Sequence, residues 1–193
     1  MSTGCNYRRS GGFTMIEVLV TLVILLLGLL GLVGLQSRAQ IGETESYQRA
    51  QALVLLRDMA DRINANRGNA ASYTVAVTAP LGSAATTYTA TDCSTLSPMA
   101  QVDLCQWDHA LKGAAEATGS CNVATGANCV GAMIGARGCI TSPAANQYLI
   151  QVVWQGLAPS AAPPTSVACG AGLFGNDTQR RAVTTMIQIG VLS

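Results

Sequence analysis

From Val18 to Leu35 the chain carries no charge, and Thr21 is the only conspicuously polar residue of that run. A run of about 18 apolar residues is long enough to cross a bilayer as a helix. Arg8 and Arg9 precede it, which predicts a cytoplasmic N-terminus and sends the C-terminal part outward. Glu17 stands at the head of the run. A carboxylate deep in a bilayer costs roughly 2.5–3.5 kcal/mol, so Glu17 either snorkels to the interface or has a partner or a function.

The rest of the chain agrees with that orientation. Cys5 lies before the run, whereas Cys93, Cys105, Cys121, Cys129, Cys139 and Cys169 all follow it. An even number of cysteines beyond a membrane segment predicts a disulfide framework in an oxidising compartment, with the pairing left open. No C-x-x-C occurs, and the sole histidine, His109, stands four residues after Cys105, so no metal site is expected. Net charge is +1 and only 11% of residues are charged. No basic footprint for nucleic acid follows from that. Aromatics are few, and a core of small residues benefits from covalent staples.

Three readings of the N-terminus compete. A secretory signal peptide could end at Ser37–Ala39, leaving Gln40 first, but the apolar run is longer than such segments have, and Glu17 lies close to its start. A plain uncleaved anchor makes no use of "GGFT" or of the glutamate. A prepilin leader uses both. The stretch "GGFTMIEVLVTLVILLLGLLGL" resembles the N-terminus of type IV pilins and type II secretion pseudopilins, with Gly12, Phe13, Thr14 and Glu17 in the family's places. The resemblance implies cleavage between Gly12 and Phe13 and N-methylation of Phe13 by a prepilin peptidase. It also implies a pairing of Glu17 with the Phe13 amine of a neighbouring subunit. Such a pair relieves two desolvation penalties together, and a misregistered helix leaves a charge unpaired, so it would set axial register. The chain departs from many pilins in having no proline partway along the helix. Gly28, Gly31 and Gly34 stand there instead. They would let the helix melt or bend, or let neighbouring helices pack closely.

After Leu35, Tyr47, Ala50, Leu53, Leu56, Ala60 and Ile63 recur at steps of three and four, which predicts one buried helical face. Glu45 with Arg49 and Asp58 with Arg62 form favourably ordered i,i+4 pairs, and the charged residues otherwise read as a solvated face. Gly68 predicts the C-terminus. From Phe13 to Arg67 this is one helix of about 80 Å. The stretch "SYQRAQALVLLRDMADRINANRG" resembles one branch of the family, the PilV-type minor pilins that modify the type IV pilus.

Beyond Asn69, Ser72–Thr78 alternates like a strand. "SPMAQVDLCQWDHALKGAAEA" predicts a helix with Ser97 as N-cap and Pro98 in its first position. Tyr148–Gly156 and the final "RAVTTMIQIGVLS" predict strands. Asp103, Asp108 and His109 do not stack on one face of the predicted helix and read as solvated positions. "GAGLFG" at Gly170–Gly175 matches a dinucleotide fingerprint but lacks a βαβ unit, so it reads as a disulfide-anchored loop. Asn176-Asp-Thr is a short match to a glycosylation acceptor, and no nucleophile elbow appears.

The expected fold is α+β and pilin-like: a long N-terminal helix, half in the membrane and half packed on an antiparallel sheet in a disulfide-stapled periplasmic domain. Expected boundaries are 1–12 for the leader, 13–35 and 36–68 for the two halves of the helix, and 69–193 for the outer domain. No cofactor is expected. The resemblance implies a minor pilin that primes pilus assembly and supports pilus biogenesis, twitching motility and adhesion, in the inner membrane and then the pilus. Its implied partners are the prepilin peptidase and methylase, other minor pilins and the major pilin, the inner-membrane assembly platform and membrane lipid. A minor pseudopilin of a type II secretion system, or a membrane-anchored periplasmic enzyme, are the alternatives.

Overall fold

The computed structural model describes residues 11–89, 91–114, 121–123, 129, 131 and 133–190. The chain divides into two compact units, Met1–Glu43 and Thr44–Ser193. Helix α1 spans Met15–Ala65. Its segment in the first unit is helical throughout, including Gly28, Gly31 and Gly34, and a Cβ added at any of these glycines would meet nothing within 4 Å. The apolar side chains from Phe13 to Leu35 are exposed within the chain.

In the second unit, α1 buries Gln48, Ala52, Leu55, Leu56, Met59 and Ile63. The spacing is helical as expected, but the buried face is rotated from the predicted one. Tyr47 and Ala50 are exposed, while Leu53 and Ala60 only flank the core. Gln48 carries no apolar signal, and so the stripe could not be phased from hydropathy alone. The helix does not stop at a left-handed Gly68; Asn66 leaves helical geometry and a 3-10 helix follows at Arg67–Tyr73. That helix absorbs the start of the predicted Ser72–Thr78 strand. Only Val75 pairs there, in a two-bond bridge with Ile140.

The sheet is an antiparallel meander in the order β1 (Leu81–Gly82), β2 (Ile134–Ala144), β3 (Gln147–Gln155), β4 (Arg180–Gln188). Strands β3 and β4 match the two apolar runs at the chain's C-terminal end, although the tail 191–193 lies outside the described residues. Strand β2 went unread because "IGARGCITSPA" mixes glycine, proline and charge. On β3 the period of two is plain: Tyr148, Ile150, Val152 and Trp154 face the main core with α1 and α2, and Val153 packs with Cys139, Cys169 and Phe174 on the other side. A sheet covered on both faces reads as a continuous apolar run, as in "YLIQVVW".

Helix α2 runs Met99–Lys112. It begins one residue later than predicted: Pro98 occupies the cap, after a cis Ser97–Pro98 bond, and Ser97 makes no cap. Gly113, left-handed at φ 83°, ends it. The predicted extension through Ala117 is therefore cut short at Gly113, and its residues 115–117 lie outside the described residues. Helix α2 lies close against β2. A Cβ on Gly138 would clash with the ring of Trp107, and the Trp107 indole donates to the Leu55 carbonyl at 3.0 Å. Three disulfides, Cys93–Cys105, Cys121–Cys129 and Cys139–Cys169, staple neighbours in sequence. The last ties β2 to the glycine-rich loop at Gly170–Gly175.

Candidate functional site

The first turn of α1 is built from the residues of the leader motif. Thr14 precedes the helix and its Oγ1 accepts from the Glu17 amide at 3.4 Å, while the Thr14 carbonyl accepts from the same amide at 3.1 Å. Thr-x-x-Glu is a capping-box spacing that sequence reasoning passed over, although "FTMIE" shows it. An acid in the first turn also meets the positive end of the helix dipole. Glu17 therefore suits a helix start for a local reason, independent of any partner. Phe13 is 83% exposed, and with Thr14, Met15, Val18, Leu19 and Leu22 it flanks an apolar recess of about 320 Å³. An apolar surface this extensive, uncovered within its own unit, marks a membrane or a protein partner. Residues 1–10, which hold Cys5 and most of the expected basic leader 1–12, fall outside the described residues. Among those described, α1 is the one helix long and apolar enough to cross a membrane.

The second unit, Thr44–Ser193, carries several of its charges inward. Asp103 and Asp108, expected in solvent, are buried at 6% and 0% exposure. They leave opposite sides of α2, and each side meets a different element. Asp103 accepts from Arg62 at 2.9 Å and from the Tyr73 hydroxyl, and Arg62 also bonds Asp58 and Gln106. This knot joins α1, the 3-10 helix and α2. Burial opposes the Arg62 charge, yet the bonds to Asp103 and Asp58 prevail and raise its pKa. Burial, then the Asp103 hydrogen bond, pushes Tyr73 up to about 12. Asp108 accepts from the Gly82 amide at 2.7 Å and pairs with Lys112 at 2.7 Å; Lys112 also donates to the Val123 carbonyl. Burial raises the Asp108 pKa against the pull of these donors. Arg180, 2% exposed, bonds Asp177 and the carbonyls of Val167 and Cys169, locking the loop that Cys169 staples.

His109 stands 3.5 Å from Cys93 Sγ and 3.9 Å from Cys105 Sγ. Those sulfurs are joined to each other, so this trio offers no thiolate to a metal. Asp103, Asp108 and His109 thus do not form a common site: each is held by its own structural partners. The Asp58–Arg62 pair forms, whereas Glu45 turns away from Arg49 and bonds Arg181 at 3.0 Å.

No curated protein and no solved structure matches the chain. Two family matches abut. Residues 7–33 match the prokaryotic N-terminal methylation motif, and residues 34–110 match the Tt1218-like family, described as type IV pilin Tt1218. Together they cover more than half of the chain and include α1, with its capped first turn, and nearly all of α2. With a long N-terminal helix packed on a four-stranded antiparallel sheet and stapled by disulfides, the chain belongs to the type IV pilin-like family.

Proposed function

We propose that the chain is a minor pilin of the PilV type that primes pilus assembly, and so supports pilus biogenesis, twitching motility and adhesion. The family is one of structural subunits, and the chain is a structural protein rather than an enzyme. The methylation motif implies processing by a prepilin peptidase and assembly with other pilins. The observation that carries the reading is the uncovered apolar segment from Phe13 to Leu35 behind a "GGFTMIE" start. It is a surface for lipid first and for sister helices afterwards. In this reading the leader ends at Gly12, Phe13 becomes the methylated N-terminus, and Glu17 answers the Phe13 amine of a neighbour. Residues 13–35 span the inner membrane, with the N-terminus cytoplasmic and residues 69–193 periplasmic.

Mass spectrometry of the mature chain is expected to give N-methyl-Phe13; a mature chain beginning at Gln40 would refute the reading. Deletion is expected to abolish surface pili and twitching while leaving type II secretion intact, and the reverse outcome would identify a pseudopilin. Glu17→Ala is expected to leave cleavage unchanged and to lower incorporation into sheared pili.

A further inference from the structure

The outer unit holds an open recess of about 330 Å³ lined by Glu45, Ser46 and Arg49 of α1 and by Trp154, Arg181 and Ala182 of the sheet. Its charges do not balance internally. Glu45 Oε1 accepts from Arg181 at 3.0 Å and from the backbone amides of Leu157 and Ala158 at 3.1 and 3.4 Å. Arg181 directs further donors to the carbonyls of Thr178 and Ala158. Gly156 makes room for this arrangement, since a Cβ there would lie 2.6 Å from Arg181 Cζ. Glu45 and Arg181 therefore satisfy each other. Arg49, one turn further along α1, is exposed and has neither a hydrogen bond nor an ion pair among the described residues; the Ser46 hydroxyl is likewise unbonded. Trp154, itself nearly buried, also lines the recess, and its Nε1–H has no acceptor among the described residues. The recess thus combines a guanidinium and a hydroxyl without partners among the described residues, beside Trp154.

We propose that this recess receives a glutamate or aspartate side chain from a neighbouring pilin subunit, with Arg49 as its charge partner and Ser46 as a second donor. The planar guanidinium fork matches a carboxylate bidentately. A second copy of this chain has groups of the required kind: Glu43 and Asp61 are exposed and without partners among the described residues. The proposal rests on the chain being a filament subunit, but its test can fail independently of that reading.

The chain has two tryptophans, and the Trp107 indole, bonded to Leu55, is an internal control. In the full-length, detergent-solubilised, ¹⁵N-labelled protein, N-acetyl-glutamate methylamide is expected to shift the Trp154 indole signal saturably while Trp107 stays still. The glutamine analogue is expected to do nothing, and Arg49→Gln is expected to weaken the response at least fivefold with both indole signals otherwise unmoved. In cells, Arg49→Gln is expected to keep N-methyl-Phe13 and to lower the copy number in sheared pili. An unmoved Trp154, an equal response to the glutamine analogue, or an undiminished response in Arg49→Gln would overturn the proposal. An equal response to inorganic phosphate would overturn the carboxylate assignment and leave a general anion site. In each of these cases N-methylated Phe13 would still uphold the pilin reading.

Discussion

Several charges of the second unit are buried and held by specific partners. Lys112 and Asp108 are 1% and 0% exposed as side chains, so each is the other's main compensation. Removing one partner of such a pair costs about 3–5 kcal/mol, because it strands the other charge. Asp108→Ala is therefore expected to lower the denaturant midpoint severely, and Asp108→Leu with Lys112→Met to lower it less than the single change. Tyr73 supplies a pH signature. Its folded pKa, about 12, lies above the ordinary 10.0. A raised folded pKa contributes stability that is fully present below the unfolded value and is lost as pH rises through the folded one. Stability measured by denaturant titration is expected to fall between pH 10 and 12, and Tyr73→Phe is expected to flatten that part of the curve. At Gly138 the constraint is steric. A methyl group there would collide with Trp107 and Leu111. Overpacking of this kind typically costs 1–3 kcal/mol, so Gly138→Ala is expected to lower the thermal midpoint by roughly that equivalent.

At the scale of elements, the sequence was legible where one period governs one environment. The apolar run of α1 and the runs of β3 and β4 are of this type. It was illegible where a residue serves two neighbours. Strand β2 alternates in space, with Ala136, Gly138 and Ile140 toward the main core and Arg137 and Cys139 toward Phe174, but both faces are covered and the residues are small or charged, so hydropathy does not alternate. Ser72–Thr78 alternates well but finds only Ile140 to pair with before Pro80 breaks the edge. The disulfides make the closing of elements measurable. Cys139–Cys169 spans 30 residues and Cys121–Cys129 spans 8. Chain-entropy bookkeeping gives about 3.5 kcal/mol for the longer loop and about 2.5 kcal/mol for the shorter. Paired Cys→Ser replacement is expected to lower the denaturant midpoint more at Cys139/Cys169 than at Cys121/Cys129.

On the scale of the whole molecule, every buried residue of α1 lies at or beyond Gln48, within the unit Thr44–Ser193. That unit contains both core clusters and all three disulfides. A fragment of residues 44–193 secreted to an oxidising compartment is expected to be soluble and monomeric, with no free thiol by alkylation and a cooperative unfolding transition. Aggregation or scrambled disulfides in that fragment would show that the first unit is needed for folding. Among the described residues the first unit contributes no buried core residue, and it leaves an extensive apolar surface uncovered.

The sequence by itself determined the long helix, its uncovered apolar segment, the N-terminal methylation motif, a disulfide-stapled domain after the apolar run and the α+β class. Each of these rests on local patterning: a charge-free stretch, a fixed spacing of Gly12, Phe13, Thr14 and Glu17, or a period of two. The tertiary structure alone decided which face of α1 is buried, how the six cysteines pair, and that Asp103 and Asp108 point inward. It also decided that Glu45 pairs with Arg181 rather than with Arg49, four residues away on the same helix. The reason is geometric. A carboxylate is satisfied by whichever donor the packed chain brings within about 3 Å, and at Glu45 those donors come from residues more than a hundred positions distant.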